Sequence, residues 1–223
     1  MKRSEINQAI DRAKQAFAAH AFRLPEFADW TPAHWKSIGP QADGIRNSRL
    51  GWDVTDFNLG EFNRKGLTLF TLRNGNPSDP TSGKTYCEKI MLAREGQLTL
   101  FHTHRHKVED IINRGGGVLV VELFNGDLAG VVNQTPVVVS RDGISCEVPP
   151  GGQIELDPGE SVTLMPGQYH QFIARGADVV IGEVSTVNDD ASDNVFIDPI
   201  PRFPCIEEDE APACLLCNEY PST

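Results

Sequence analysis

No stretch of this chain approaches the run of about 20 apolar residues that spans a bilayer, so a membrane-crossing helix is not expected. Cations are scarce: Lys and Arg number 20 against 31 Asp and Glu, for a net charge of −11. A surface of that sign repels phosphate backbones and anionic headgroups, which argues against nucleic acid and membrane as partners. There is no basic patch, no internal repeat and no low-complexity tract. The opening MKRSEINQAIDRAKQ is charged and lacks an apolar core. No secretory signal is therefore expected there, and a cytoplasmic location is. Cysteines are five, an odd number that predicts reduced thiols. Cys214 and Cys217 form one CxxC with no second pair to complete a zinc site, so packed thiols are expected.

What is present is an ordinary globular composition over 223 residues, 39% hydrophobic and 23% charged, enough for one core with an added arm. Residues 4–19 predict an amphipathic helix with Ser4 as N-cap and Ile6, Ile10, Ala13 and Phe17 on one face. Residues 20–50 read as a helical or irregular continuation. The expected division is a helical arm over 1–50, packed on a β body with a C-terminal extension over 51–223. From Trp52 on, β-prone runs alternate with turns. They fall at 67–72, 87–94, 97–104, 117–124, 136–140, 153–156, 161–165, 169–174 and 178–187. That spacing predicts a mainly β sandwich or barrel.

The chemistry concentrates in GQLTLFHTHRHKVEDIINRGGG, Gly96 to Gly117. Side chains alternate along a strand, so Leu98, Leu100, His102 and His104 share a face, and the leucines mark it as inward. A turn at 105–106 then predicts an antiparallel partner strand with Lys107, Glu109 and Ile111 on one face, Glu109 lying across the ladder from the histidines. In VTLMPGQYHQF, Val162 and Leu164 face inward, Pro166-Gly167 turns the chain, and His170 shares a face with Phe172. Burying imidazoles and an acid together is costly without a cation. The mixed N/O set His102, His104, Glu109 and His170 suits Mn, Zn, Fe, Co or Ni.

The first segment matches the cupin motif G-x5-H-x-H-x4-E-x6-G through Gly96, His102, His104, Glu109 and Gly116 without a gap. The second, P-x-G-x2-H-x3-N, is met in part: Pro166, Gly167 and His170 are present, the spacer is missing, and Ala174 stands for the Asn. Three further stretches resemble the bacterial D-lyxose isomerases: RLGWDVTDF, EDIINRGGG, and RFPCIEEDEAP with LLCNEYP. The resemblance implies a cupin (double-stranded β-helix, jelly-roll) barrel with an N-terminal helical arm, a homodimer, and one divalent ion per chain, Mn²⁺ in preference to Zn²⁺, Co²⁺ or Fe²⁺. It also implies interconversion of D-lyxose and D-xylulose, usually with some action on D-mannose and D-fructose; moving hydrogen between C1 and C2 is expected to pass through an enediol.

Such chemistry needs a base and a helper. Lys107, on the face of Glu109, is a candidate to stabilise the developing oxyanion or carry a hydroxyl proton. The acid run 207–210 is by itself a solvated stretch; with the resemblance, Glu208, then Glu207, becomes the candidate base at the barrel mouth. His106 and Arg202 are candidate sugar contacts. His20 and His34 are expected to be structural, and Trp30, Trp35 and Trp52 to pack. Two other readings stand beside the isomerase: an Fe(II) dioxygenase, and a sugar-binding cupin without turnover.

Overall fold

The computed structural model describes residues 1–79 and 83–221. Three helices come first, α1 (Arg3–Ala19), α2 (Pro32–Ile38) and α3 (Asp43–Asn47). Eleven strands follow: β1 (Gly51–Thr55), β2 (Leu67–Arg73), β3 (Tyr86–Ala93), β4 (Leu98–His104), β5 (Glu109–Asn125), β6 (Val137–Arg141), β7 (Ile144–Val148), β8 (Gly152–Leu156), β9 (Ser161–Leu164), β10 (Gln168–Thr186) and β11 (Asn194–Phe196). Among the described residues no helix is long and apolar enough to cross a membrane.

Two strands organise the rest. β5 and β10, 17 and 19 residues long, pair antiparallel from Ser185↔Glu109 to Gln168↔Asn125. The first half of β10 also pairs with β4, which pairs with β11, while the second half pairs with β3 and so with β2 and β1. The first half of β5 carries β9 and then β6 and β7, and its second half carries β8. The two long strands are thus shared by two half-sheets that face each other. This is the cupin jelly roll.

The ladder changes register between Arg175 and Val179 on β10, opposite the Gly115-Gly116-Gly117 stretch of β5. Gly116 has φ +106°, and a Cβ there would lie 2.0 Å from the Asp178 carbonyl oxygen. One at Gly115 would lie 2.3 Å from the His20 ring. Only hydrogen at these α-carbons lets β5 cross the bulged strand beneath the end of α1.

Two cores follow from this arrangement. Between the half-sheets lie Leu69, Met91, Ile111, Leu119, Val121, Val162, Phe172 and Ile181. Outside them, the predicted face of α1, with Ile6, Ile10, Ala13 and Phe17, packs on Trp52, Val54, Phe70, Ile90 and Leu92. β1, β2 and β3 therefore have both faces covered: β1 is buried throughout, and the Thr68 and Thr71 side chains of β2 are buried along with Leu69 and Phe70. The tryptophans pack: Trp52 stacks on Phe17 and Trp35 on Tyr220.

Several local expectations shift. The helix begins at Arg3, with Lys2 rather than Ser4 as N-cap. Ser4 instead donates to Asp209 through its backbone N (2.9 Å) and hydroxyl (2.7 Å). The runs 169–174 and 178–187 are one strand. β1, β7 and β11 lay outside the predicted set. All five cysteines are free thiols, and burial pushes that of Cys87 up to about 12.

Candidate metal and sugar site

The ligand set comes together across the gap between the half-sheets. His102 and His104 sit on β4, and His170 lies directly beside His102 in the β10 ladder. Glu109 opens β5 in the facing half-sheet. Glu109 Oε1 is 3.1 Å from His104 Nε2 and 3.1 Å from His170 Nε2. One ligand atom from each of the four residues falls within 4.8 Å of all the others.

The hydrogen bonding shows what these atoms face. His102 Nδ1 meets the Leu100 carbonyl at 2.8 Å and His170 Nδ1 the Gln168 carbonyl at 3.2 Å, which leaves both Nε2 atoms turned to the centre. His104 Nε2, His170 Nε2 and Glu109 Oε1 are buried without hydrogen-bond partners. Orphaned buried polar atoms are costly, and three that converge on one point fit a bound cation. Burial, with the neighbouring imidazoles for His102 and Lys107 for His104, holds both rings below the usual histidine range and so neutral. Burial alone would raise the Glu109 carboxyl, but Lys107 and His104 outweigh it and keep the group ionised. Neutral imidazoles and a carboxylate are the protonation states a divalent ion needs.

These residues arrive by a different route from the predicted hairpins. β4 pairs with β10 and β11, not with β5, so Glu109 does not lie across a ladder from His102 and His104. Likewise β9 pairs with β5 and β6, not with β10. Both turns carry the chain from one half-sheet to the other. At the second, Gly167 (φ +83°) donates its N–H to Thr103 Oγ1 at 3.0 Å, which ties the shortened Pro-Gly turn to β4. The inward neighbours on β4 also differ. His170↔His102 is followed by Phe172↔Thr99, three residues along β4 against two along β10, so a bulge brings Thr99 rather than Leu98 and Leu100 into the cavity.

Beside the four ligands runs a buried chain of charges that line the same cavity. Lys107 Nζ lies 2.8 Å from Glu109 Oε2 and 2.8 Å from Glu183 Oε1. Lys89 Nζ is 3.2 Å from the same Glu183 oxygen and 2.8 Å from Asn188 Oδ1. Asp190 faces Lys89 at 3.9 Å and Arg202 at 3.7 Å, and Arg202 reaches Asp53 at 2.5 Å. Although burial opposes it, Glu109 and Glu183 keep Lys107 charged, and Lys107 and Lys89 keep Glu183 ionised. Phe57, Phe172 and Phe196 form the apolar wall.

Lys107, the candidate catalytic helper, and Arg202, the candidate sugar contact, both line the cavity. His106 does not: its side chain is exposed and lies outside the cavity, because its backbone N–H is held by Asp193 Oδ1 at 2.8 Å. Glu207 and Glu208 also lie outside the cavity. The acid run serves the N-terminus of α1: the Arg3 guanidinium holds Glu208 at 2.6 Å, Arg3 N–H donates to the Glu207 carbonyl, and Asp209 takes Ser4. Free N–H groups and the helix dipole draw carboxylates to that end. The Glu208→Gln variant is accordingly expected to turn over like the wild type, with a melting temperature only slightly lowered, since Glu208 is 55% exposed and such pairs contribute at most about 1 kcal/mol. A steady-state assay beside a thermal melt checks this; lost turnover with intact folding would return Glu208 to the site.

Glu183, Asp190, Lys89 and Asp193 were not singled out from sequence. The available signal was in VVIGEVS, where Val179, Ile181 and Glu183 share one parity: an acid at the end of an inward-facing apolar row.

The comparisons with known proteins agree with this geometry. The family model described as D-lyxose isomerase matches residues 1–220. A D-lyxose/D-mannose isomerase of Serratia proteamaculans is 48% identical over 99% of this chain and 98% of its own, and one of Escherichia coli O157:H7 is 46% identical over the same shares. Among solved structures, the L-ribose isomerase of Geodermatophilus obscurus superposes with TM-score 0.60 at 14% identity, covering 93% of this chain and 98% of that one. The Cellulomonas parahominis L-ribose isomerase with L-ribose gives 0.58 at 15% identity over the same shares, a likeness of fold. With a family model matched along nearly its whole length and two relatives close to half identical, the chain belongs to the D-lyxose isomerase family and is a sugar-isomerising enzyme.

Proposed function

We propose that this enzyme interconverts D-lyxose with D-xylulose, and D-mannose with D-fructose, by proton transfer through an enediol, with one Mn²⁺ held by His102, His104, Glu109 and His170. When bound, the ion supplies Lewis acidity toward the oxygens at C1 and C2 of the open-chain sugar. The remaining work falls to side chains of the cavity. The Glu183 carboxylate, ionised and pinned by two lysines, is placed to take the proton from one carbon and return it to the other. In this reading the Lys107 ammonium neutralises oxyanion charge or passes a proton between hydroxyls. Lys89, Asp190 and Arg202 offer donors and acceptors to the other hydroxyls, and the three phenylalanines exclude water. Several ions suit this donor set, and Zn²⁺, Co²⁺ and Fe²⁺ stand behind Mn²⁺ in the proposal.

The observation that carries the reading is Lys107, one ammonium in contact with both a member of the ligand cluster and a second buried carboxylate. The relatives' names support the choice of D-lyxose and D-mannose, and a homodimer is what the family resemblance implies. Membership of an isomerase family disfavours both the Fe(II) dioxygenase and the turnover-free binding module.

The test strips the metal, restores Mn²⁺ and follows ketose formation from D-lyxose, D-mannose, D-ribose and D-xylose. Ketose is expected from the first two, and reaction in deuterated water is expected to place deuterium at C2 of the recovered aldose. Turnover without solvent exchange would favour hydride transfer. Oxygen consumption on Fe(II) loading would revive the dioxygenase.

A further inference from the structure

The loop between β10 and β11 places Asn188 and Asp190 beside the cavity, and it also carries Asp193, a buried carboxylate that has no part in the mechanism above. Asp193 Oδ1 accepts the His106 N–H at 2.8 Å and Oδ2 the Lys107 N–H at 3.3 Å. The same Oδ2 faces His104 Nδ1 at 3.6 Å. His104 is the one ligand imidazole whose Nδ1, in the structure as described, has no hydrogen-bond partner; the other two meet backbone carbonyls.

A neutral imidazole carries one N–H, and a ligating nitrogen must carry none. His104 has a carboxylate oxygen facing each nitrogen: Glu109 Oε1 at 3.1 Å from Nε2, and Asp193 Oδ2 at 3.6 Å from Nδ1, just beyond hydrogen-bond length and the acceptor that faces that nitrogen. Without Asp193, Glu109 alone would draw the proton to Nε2 and block the ligand atom. We propose that Asp193 is the positioning residue of the site: it holds the proton of His104 on Nδ1, leaving Nε2 free for the ion, and fixes the turn that brings Lys107 into the cavity. The half concerned with the ion rests on the metal reading above; the tautomer does not. Carboxylates that orient ligating histidines are a general device for setting ring basicity and tautomer.

The test uses ¹⁵N-histidine-labelled, metal-free protein and long-range ¹H–¹⁵N correlation spectra, with Mn²⁺ affinity read from the EPR signal of the free ion. In the wild type, His104 is expected to be protonated at Nδ1. In Asp193→Asn, one acceptor oxygen becomes an amide donor, so the proton is expected to move to Nε2 and the Mn²⁺ Kd to rise about 10- to 100-fold. Asp193→Glu restores the charge, and should recover the wild-type tautomer and part of the affinity. A wild-type His104 protonated at Nε2, an Asp193→Asn variant with unchanged tautomer and Kd, or a Glu variant no better than Asn would each overturn the proposal. Wild-type protein with the expected tautomer but no affinity for Mn²⁺ would instead bring down the metal reading alone.

Discussion

Glu183→Gln is expected to keep its full complement of metal and to lose about 10²- to 10⁴-fold in turnover, the usual contribution of a positioned general base. The substitution preserves shape and one acceptor oxygen, and it leaves His102, His104, Glu109 and His170 untouched. It removes the negative charge that accepts the carbon-bound proton, and with it the counter-charge that Lys89 and Lys107 share at 3.2 and 2.8 Å. Asp190, 3.9 Å from Lys89, and Glu109, 2.8 Å from Lys107, still face the two ammonium groups, so the cavity has means to stay folded. The measurements are turnover on D-mannose, metal content by elemental analysis, and deuterium exchange at C2. Retained exchange at wild-type rate would assign the base elsewhere.

Removing the ion is expected to have the second large effect. The chelated protein should form no ketose, and it should melt at a lower temperature than the Mn²⁺-loaded protein. Ligand linkage at free metal about 1,000-fold above its Kd contributes about 4 kcal/mol. A chain of this size shifts by about 2–4 °C per kcal/mol, which amounts to about 8–16 °C. The physical source is the buried nitrogens and the carboxylate oxygen that protein atoms leave without partners. Differential scanning calorimetry with and without Mn²⁺ reads the shift. Equal melting temperatures at saturating Mn²⁺ would show that the four side chains hold no ion, and the mechanism would have to be rebuilt without one.

Much of this site was legible because its residues obey short-range rules. The spacing of His102, His104 and Glu109 is a local pattern, and alternation correctly placed His170 with Phe172. The amphipathic face of α1 was legible for the same reason, since one helix makes one stripe. What alternation could not supply was partnership. It gives the face of a residue on its own strand and says nothing of which strand lies alongside, so two crossovers between half-sheets were read as hairpins. The bulge in β4 then reversed the parity of the leucines while leaving the histidines where they were expected. The acid run misled for a different reason: its partner is the start of α1, about 200 residues earlier in the chain, and a contact of that range leaves no periodic trace. Glu183 was hidden in plain view, at the end of an apolar row that reads as core.

Only six positions separate Arg202, whose guanidinium reaches Asp53 and faces Asp190 in the cavity, from Glu208, held by Arg3 on α1. The intervening segment spans the space between the sugar cavity and the outer helix, fastened at both ends by ion pairs. Fraying at the start of α1 is therefore expected to slacken the tether on Arg202, the proposed sugar contact. Changes that unwind the helix start, unlike the single Glu208→Gln exchange, are then expected to weaken substrate affinity with the catalytic groups untouched.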